Sequence, residues 1–331
     1  MRDRWRLPAR TLSAHGLACM LAAMAMAVPA AAQETWPARP IKFVVPSPPG
    51  STTDLTARAI GQRISGPLGQ PVVIENRPGA AGQIGMQQVA RSPADGYTYV
   101  VVSASTTVVP PAVTKTLPYV VTRDFAPVSL IASTRLMMVV AKESPWNSVA
   151  DVVAAAKAAP GKITYGDSAS LYLLSMERFK QLAGIDLVGV KYKGPADAAN
   201  DLIGGRLGVT PDSLGSVSGH LQSGRVKPLA VFSAERLPGL PQVPTMIELG
   251  YQDFEFDGWI GLLAPAGTPP AIVRRLADEI ATAIRSDEIR QQYAGWMLDP
   301  VSMAPDRFTA MIARETERFE AIARRAGIEK Q

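Results

Sequence analysis

The chain has 331 residues, 34 Lys and Arg against 29 Asp and Glu, two histidines and a single cysteine, Cys19. Residues 1–32 hold four arginines and one aspartate, so the remainder is close to neutral, and no basic cluster suited to a phosphate backbone follows. A lone cysteine excludes a disulfide within the chain, and so few histidines and cysteines argue against a histidine or thiolate metal site.

Arg2, Arg4, Arg6 and Arg10 precede an uncharged apolar run, residues 17–28, and an A-x-A site at Ala30–Ala32. This is the pattern of a secretory signal peptide over residues 1–32, cut after Ala32, with the folded protein exported. The apolar run is shorter than the roughly 20 residues of a membrane span. About 300 residues remain, enough for two domains.

IKFVV (41–45) reads as a buried strand and residues 54–65 as a helix stopping at Gly66-Pro67. A strand over 72–75, a short helix over 83–91 and a strand over 97–102 follow, separated by the turns NRPG and SPADG. This alternation predicts a parallel sheet covered on both faces. After a crossing segment the pattern restarts: a strand over 137–141, a helix over 148–159, ITY (163–165), a helix over 171–183, and LVGVKY (187–192). A helix over 195–204 and strands over 207–211 and 227–232 complete a second doubly wound unit. GWIGLLAP (258–265) reads as a strand returning to the first unit. A helix opened by Thr268 as cap, with Pro269-Pro270, and a last helix over 305–325 carry apolar stripes at helical spacing.

The expected fold is α/β: two doubly wound domains around a central cleft. Domain 1 is residues 33–136 plus 256–331 and domain 2 is residues 137–255, rotating about crossings near 133–140 and 252–260. Ligands of such sheets sit beyond the carboxyl ends of the strands. The stretch VVPSPPGSTTDLTAR (44–58) is such a strand exit. Gly50 lets the backbone turn and come close to a ligand, Ser51 and Asp54 have capping-box spacing, and N–H groups at a helix start favour an anion.

WPARPIKFVVPSPPGSTTDLTAR, LGQPVVIENRPGAAGQIG and SPADGYT resemble the N-terminal third of the Bug family, the substrate-binding receptors of tripartite tricarboxylate transporters. YKGPADAANDLIGGRLGV, LQSGRVKPLAVFSAERLPGLPQVPTMIELG and WIGLLAPAGTPPAIVRRL resemble later family signatures in the same order, so the likeness spans residues 36–331. The resemblance implies a periplasmic receptor with a type II periplasmic-binding-protein fold, a Venus flytrap, that has neither cofactor nor catalysis and closes on a small carboxylate through one loop from each domain. Its implied partners are the organic acid and the transporter's membrane subunits, or a sensor kinase, with the receptor itself a monomer.

Carried onto this chain, the first loop is Ser47 through Asp54, with Pro49, Gly50, Ser51 and Thr53 among its ligand-binding positions. Ser51 stands where many members have glycine. Ser103, Ser105 and Thr106 form the next strand exit; Lys193, Gly194 and Asp212 fall at further cleft positions. The second gripping loop departs from the family: YGDSASLYLLSMERF lacks the usual glycines, and Leu173 replaces a histidine. There Asp167, with Ser168 and Ser170, opposes a second carboxylate, so a monocarboxylate, an aromatic acid, an amide or an amine-bearing ligand is expected in preference to citrate.

Two enzyme readings compete. Gly166-Asp167-Ser168-Ala169-Ser170 nearly spells a nucleophile elbow, with Asp212 and His220 in the order of an esterase triad. The second glycine is absent, however, and no oxyanion segment precedes it. Gly79, Gly82 and Gly85 lack the spacing of a dinucleotide fingerprint and suit close helix packing. Tyr165, Tyr192 and Trp259 are candidates for either pocket or core.

Overall fold

The computed structural model describes residues 36–330, so the signal-peptide segment and its cleavage site lie outside the described residues. No helix among them is long and apolar enough to cross a membrane. Pro37–Gln331 form one compact unit.

The unit opens with strand β1 (Ile41–Val45), helix α1 (Thr52–Leu68), β2 (Val72–Asn76), α2 (Gln83–Ala90) and β3 (Thr98–Ser103). Single helical turns at Ala104–Thr107, Pro110–Val113 and Val121–Asp124 lead into β4 (Phe125–Thr134), and β5 (Leu136–Ala141) follows after one residue. Next come α3 (Val149–Ala158), β6 (Thr164–Asp167), α4 (Ser170–Ala183), β7 (Val188–Lys191), α5 (Pro195–Ile203), β8 (Thr210–Ser213), α6 (Leu214–Gln222) and β9 (Val226–Val231). The chain then returns through β10 (Gly258–Pro265), α7 (Pro270–Ile284), α8 (Asp287–Gly295), β11 (Leu298–Asp299) and α9 (Pro305–Arg325).

β1 lies between β2 and β3 and pairs with both in parallel. The expected parallel pairing of these three strands is present; beyond them β10 enters beside β3 antiparallel and β4 lies antiparallel next to it, so the sheet as a whole is mixed. The order is β11-β4-β10-β3-β1-β2. β4 and β10 carry the chain out of this sheet and back into it, so no βαβ crossover imposes parallel entry on them. In the other half, β5 is flanked antiparallel by β8 and β9, β6 pairs parallel with β7, and a bridge from Tyr165 to Val209 links the two ladders.

Two local expectations are corrected. α1 does not stop at Gly66-Pro67 but runs to Leu68, where Gly69, at φ 69°, closes the last turn through its N–H to Gly66 O. A proline this late removes one helical bond without breaking the turn. Thr268 does not cap α7: its hydroxyl donates to Pro265 O at 2.8 Å, and Pro269 is the cap residue.

The chain crosses between the halves at Arg135 and again along Phe232–Asp257. Arg135 ties these crossings together, pairing with Asp257 and, at 2.7 Å, with Asp299 on β11. Phe232, Phe254 and Phe256 form a run of ring contacts along the second crossing, and Phe256 stacks on Phe319 of α9 at 5.8 Å. Buried apolar side chains therefore continue from one half into the other.

Candidate functional site

In the first half, the exit of β1 is organised by Asp54, which is only 1 % exposed. Its carboxylate accepts from Gly50 N (2.9 Å), Arg58 Nε (3.0 Å) and Asn76 Nδ2 (2.8 Å), and Asn76 also donates to Ser47 O. Ser51 Oγ accepts from Asp54 N at 3.3 Å and lies 2.7 Å from Ser47 Oγ. The capping box expected here is therefore half formed: the returning carboxylate takes Gly50 N, while Ser51 N donates to Pro48 O. The N–H groups of Thr52 and Thr53, at the start of α1, have no acceptor within the helix. Burial pushes the Asp54 carboxyl up, but the hydrogen bonds from Arg58, Gly50 and Asn76 outweigh it and hold it below the usual range.

The next exit follows the same logic. Ser103 and Thr106 form a reciprocal capping box, and Thr107 donates to Ser103 O at 2.8 Å. Gly82 packs between Thr106 and Pro46: an added Cβ would lie 2.8 Å from Thr106 Cγ2. Gly85 is equally close to Pro46, so the glycines of this segment serve close packing. Ala80 and Ala81 beside them hold positive φ, 46° and 53°, an uncommon conformation for residues with a Cβ.

In the second half, β6 ends at Asp167 and α4 begins at Ser170. The cap residue Ala169 has no side-chain acceptor to offer, so the Ser170 and Leu171 N–H groups are uncapped. Ser170 Oγ instead donates to Ser105 O at 3.0 Å, a bond from one half to the other. Next to this bond lies a cavity of about 470 Å³. Ser105, Thr106 and Ala81 line it from the first half; Asp167, Ser168, Ser170 and Lys193 line it from the second. Burial raises the Asp167 carboxyl, the Lys191 ammonium pulls it back, and Glu177 adds to the rise.

The remaining expected residues do not line this cavity. Ser47, Pro49, Gly50, Ser51, Thr53 and Asp54 are not among its lining residues; Ser103 caps the turn that carries Thr106, and Gly194 caps α5, directly after Lys193. Asp212 is 1 % exposed and accepts from Ser213 N (2.7 Å), Ser216 Oγ (3.2 Å) and Tyr172 Oη (3.4 Å). With neutral donors only, burial pushes its carboxyl up to about 7. Tyr165 and Trp259 belong to the core, donating to Glu177 and Glu315, whereas Tyr192 lines the cavity and donates to Asp201.

Sequence reasoning missed Lys191, Thr114, Ile328 and Glu329 as cavity residues. Lys191 had a signal, because it stands in register with Asp167 on β7. Ile328 and Glu329 had none; Gly327, at φ 65°, turns the chain after α9 toward the cavity wall.

No esterase relay is assembled. The donors to Asp212 do not include His220, and Ser168 Oγ and His220 Nδ1 are both buried without a hydrogen-bond partner. No group of three or more His, Cys, Asp or Glu among the described residues stands close enough to hold a metal ion.

Two α/β halves joined by paired crossings, with a polar cavity between facing βα junctions, define a two-domain solute-binding protein of the periplasmic-binding-protein kind. The chain belongs to the tripartite tricarboxylate transporter family receptors, whose family model matches residues 56–328. It is 36% identical to Protein BugT of Bordetella pertussis over 321 residues, covering 96% of this chain and 98% of that one. Among solved structures it resembles R. palustris Rpa4515 with adipate, at 36% identity and TM-score 0.82, covering 89% of this chain and 100% of that chain. It also resembles MatC from Rhodopseudomonas palustris with bound malate, at 27% identity and TM-score 0.78, covering 87% and 100%. The protein is a solute-binding receptor of the tripartite tricarboxylate type.

Proposed function

We propose that the protein is a periplasmic receptor that captures a small carboxylate between two lobes and delivers it, unaltered, to the membrane subunits of a tripartite tricarboxylate-type transporter. The lobes are residues 33–136 with 256–331, and residues 137–255, moving about the crossings at Arg135 and Phe232–Asp257. The observation that carries this reading is the cavity beside the Ser170–Ser105 bond, walled by two βα junctions and by the uncapped start of α4. Main-chain N–H groups at helix starts favour an anion. Hydrogen bonds to a charged group contribute about 1.5–3 kcal/mol each. A few of them match the roughly −8 kcal/mol of micromolar affinity. The adipate and malate bound by the two R. palustris relatives support an acid as ligand.

Closure is driven only by the ligand's differential affinity for the closed form. Calorimetric titration of the mature protein with short aliphatic and aromatic mono- and dicarboxylates tests the reading. At least one acid binds with micromolar affinity and is recovered unchanged. Absence of binding across the panel, or turnover of an activated ester, contradicts it.

A further inference from the structure

Helix α6 starts on the first crossing between the halves. Leu214 N donates to Arg135 O at 2.8 Å, so the helix start hangs on the crossing itself. The guanidinium of the same Arg135 pairs with Asp257 of the second crossing and, at 2.7 Å, with Asp299 of β11. One residue thus ties a helix of the second half to both crossings and to a strand of the first half.

Next to Leu214, the halves approach each other through a glycine. Gly215, the second residue of α6, faces the carbonyl of Trp296 in the turn between α8 and β11. A Cβ added at Gly215 would lie 2.7 Å from Trp296 O, closer than a side chain and a backbone oxygen can stand. The turn holds that oxygen in place: Trp296 N bonds to Gln292 O and Tyr293 O, and Met297 takes φ 54°. Gly215 is not required by its own backbone, because its φ lies outside the left-handed region. In a helix, alanine is favoured over glycine. Gly219, one turn further along α6, has nothing within 4 Å of its Cβ position. The absence of a side chain at 215 therefore serves the approach of the two halves. None of Arg135, Gly215, Asp257, Trp296 and Asp299 lines the cavity.

We infer that the Gly215–Trp296 contact, held by the Arg135 tie, is the stop that sets the angle between the halves at which Ser170 reaches Ser105 O. A side chain at 215 wedges the joint and disfavours that angle. Hinges are commonly a few residues at element ends, and here the joint lies at the start of one helix and the end of another. Gly215 and Arg135 are positioning residues: they touch no ligand and act on capture through the population of the arrangement that brings the cavity walls together. This rests on the two-lobe reading above and adds what limits the motion.

Spin-label distances between the halves, measured without added acid, test the inference. Cys19 is the one cysteine of the chain and precedes the expected cut, so labels at Gln62→Cys on α1 and Lys157→Cys on α3, both exposed, are the only ones in the mature protein. Gly215→Ala shifts the distance distribution off the parent's and does not raise the melting temperature. Gly219→Ala keeps the parent distribution and raises the melting temperature, as alanine in an unobstructed helix should. Asp299→Ala, at a half-exposed side chain, frees the guanidinium from β11 and broadens the distribution without altering α6. A parent-like distribution in both Gly215→Ala and Asp299→Ala overturns the inference, as does a Gly215→Ala variant stabilised as much as Gly219→Ala. Calorimetry with the acid panel alone decides the carboxylate reading, so either can fail without the other.

Discussion

Asp54 and Asp167 occupy equivalent places, each near the junction of a strand and a helix in its own half, yet their surroundings differ. Asp54 takes three hydrogen bonds from its own loop, helix and neighbouring strand, one of them from a cation, and its carboxyl lies below the ordinary range although burial opposes this. Around Asp167 burial outweighs the pull of Lys191 and leaves the carboxyl raised. At the first junction the carboxylate is met by its own fold and is a structural hub. At the second, Ser170 bonds across to Ser105 O while the Ser168 hydroxyl is buried without a partner. One carboxylate holds its loop together, and the other lines the cavity.

Removing the hub breaks the comparison most severely. Asp54→Ala removes the shared acceptor of Gly50 N, Arg58 Nε and Asn76 Nδ2 and should lower stability by about 1–3 kcal/mol, a fall of a few degrees in melting temperature. Binding should weaken with it, because the loop loses its shape. A melting temperature within a degree of the parent would show that Asp54 is not the hub.

Asp212 is the intermediate case, with donors but no cation, and it yields a pH prediction. Burial pushes its carboxyl up from the ordinary aspartate range, about 3.9, to about 7, so between these values the folded protein holds a proton that the unfolded chain has released. Between those two values the folded state binds more protons, and this group's contribution to stability is lost as pH rises. In thermal melts from pH 4 to 8, the difference between Asp212→Asn and the parent should grow in favour of the variant. A constant difference contradicts the assignment.

Ser170→Ala removes the bond to Ser105 O and should cost about 1 kcal/mol, visible as a small drop in melting temperature and a faster ligand off-rate. An unchanged off-rate would place that bond outside the closure. Ser168→Ala has the smallest effect on the fold. Its hydroxyl is already unpartnered, so the melting temperature should move by less than about 0.5 kcal/mol equivalent. A large loss of stability would mean that Ser168 has a structural role after all.

The elements with strong periodicity were legible. GWIGLLAP and the helix over 305–325 lie where the sequence puts them, buried along the length of the strand and along one stripe of the helix. β4 was not legible, because FAPVSLIAST mixes Pro127, Ser129 and Ser133 into an apolar run and reads as a crossing segment. Nor was α6, whose LGSVSGHLQ has low helix propensity and is held by the Ser213 cap, with Val217 buried beneath it. At the site, Ser105, Thr106 and the 167–170 segment could be read as strand exits. The use of Asp54 inside its own loop could not be read from spacing, because Asn76 reaches it from 22 residues away along the chain. Ile328 and Glu329 reach the cavity only through tertiary packing that no local pattern encodes.

The most direct test of the central claim is a crystal structure with the tightest carboxylate found by calorimetry. The account predicts ligand density between Ser105–Thr106 and Asp167–Ser170, with main-chain nitrogens of the helix starts on the acid group. Density for the acid elsewhere on the molecule would contradict it.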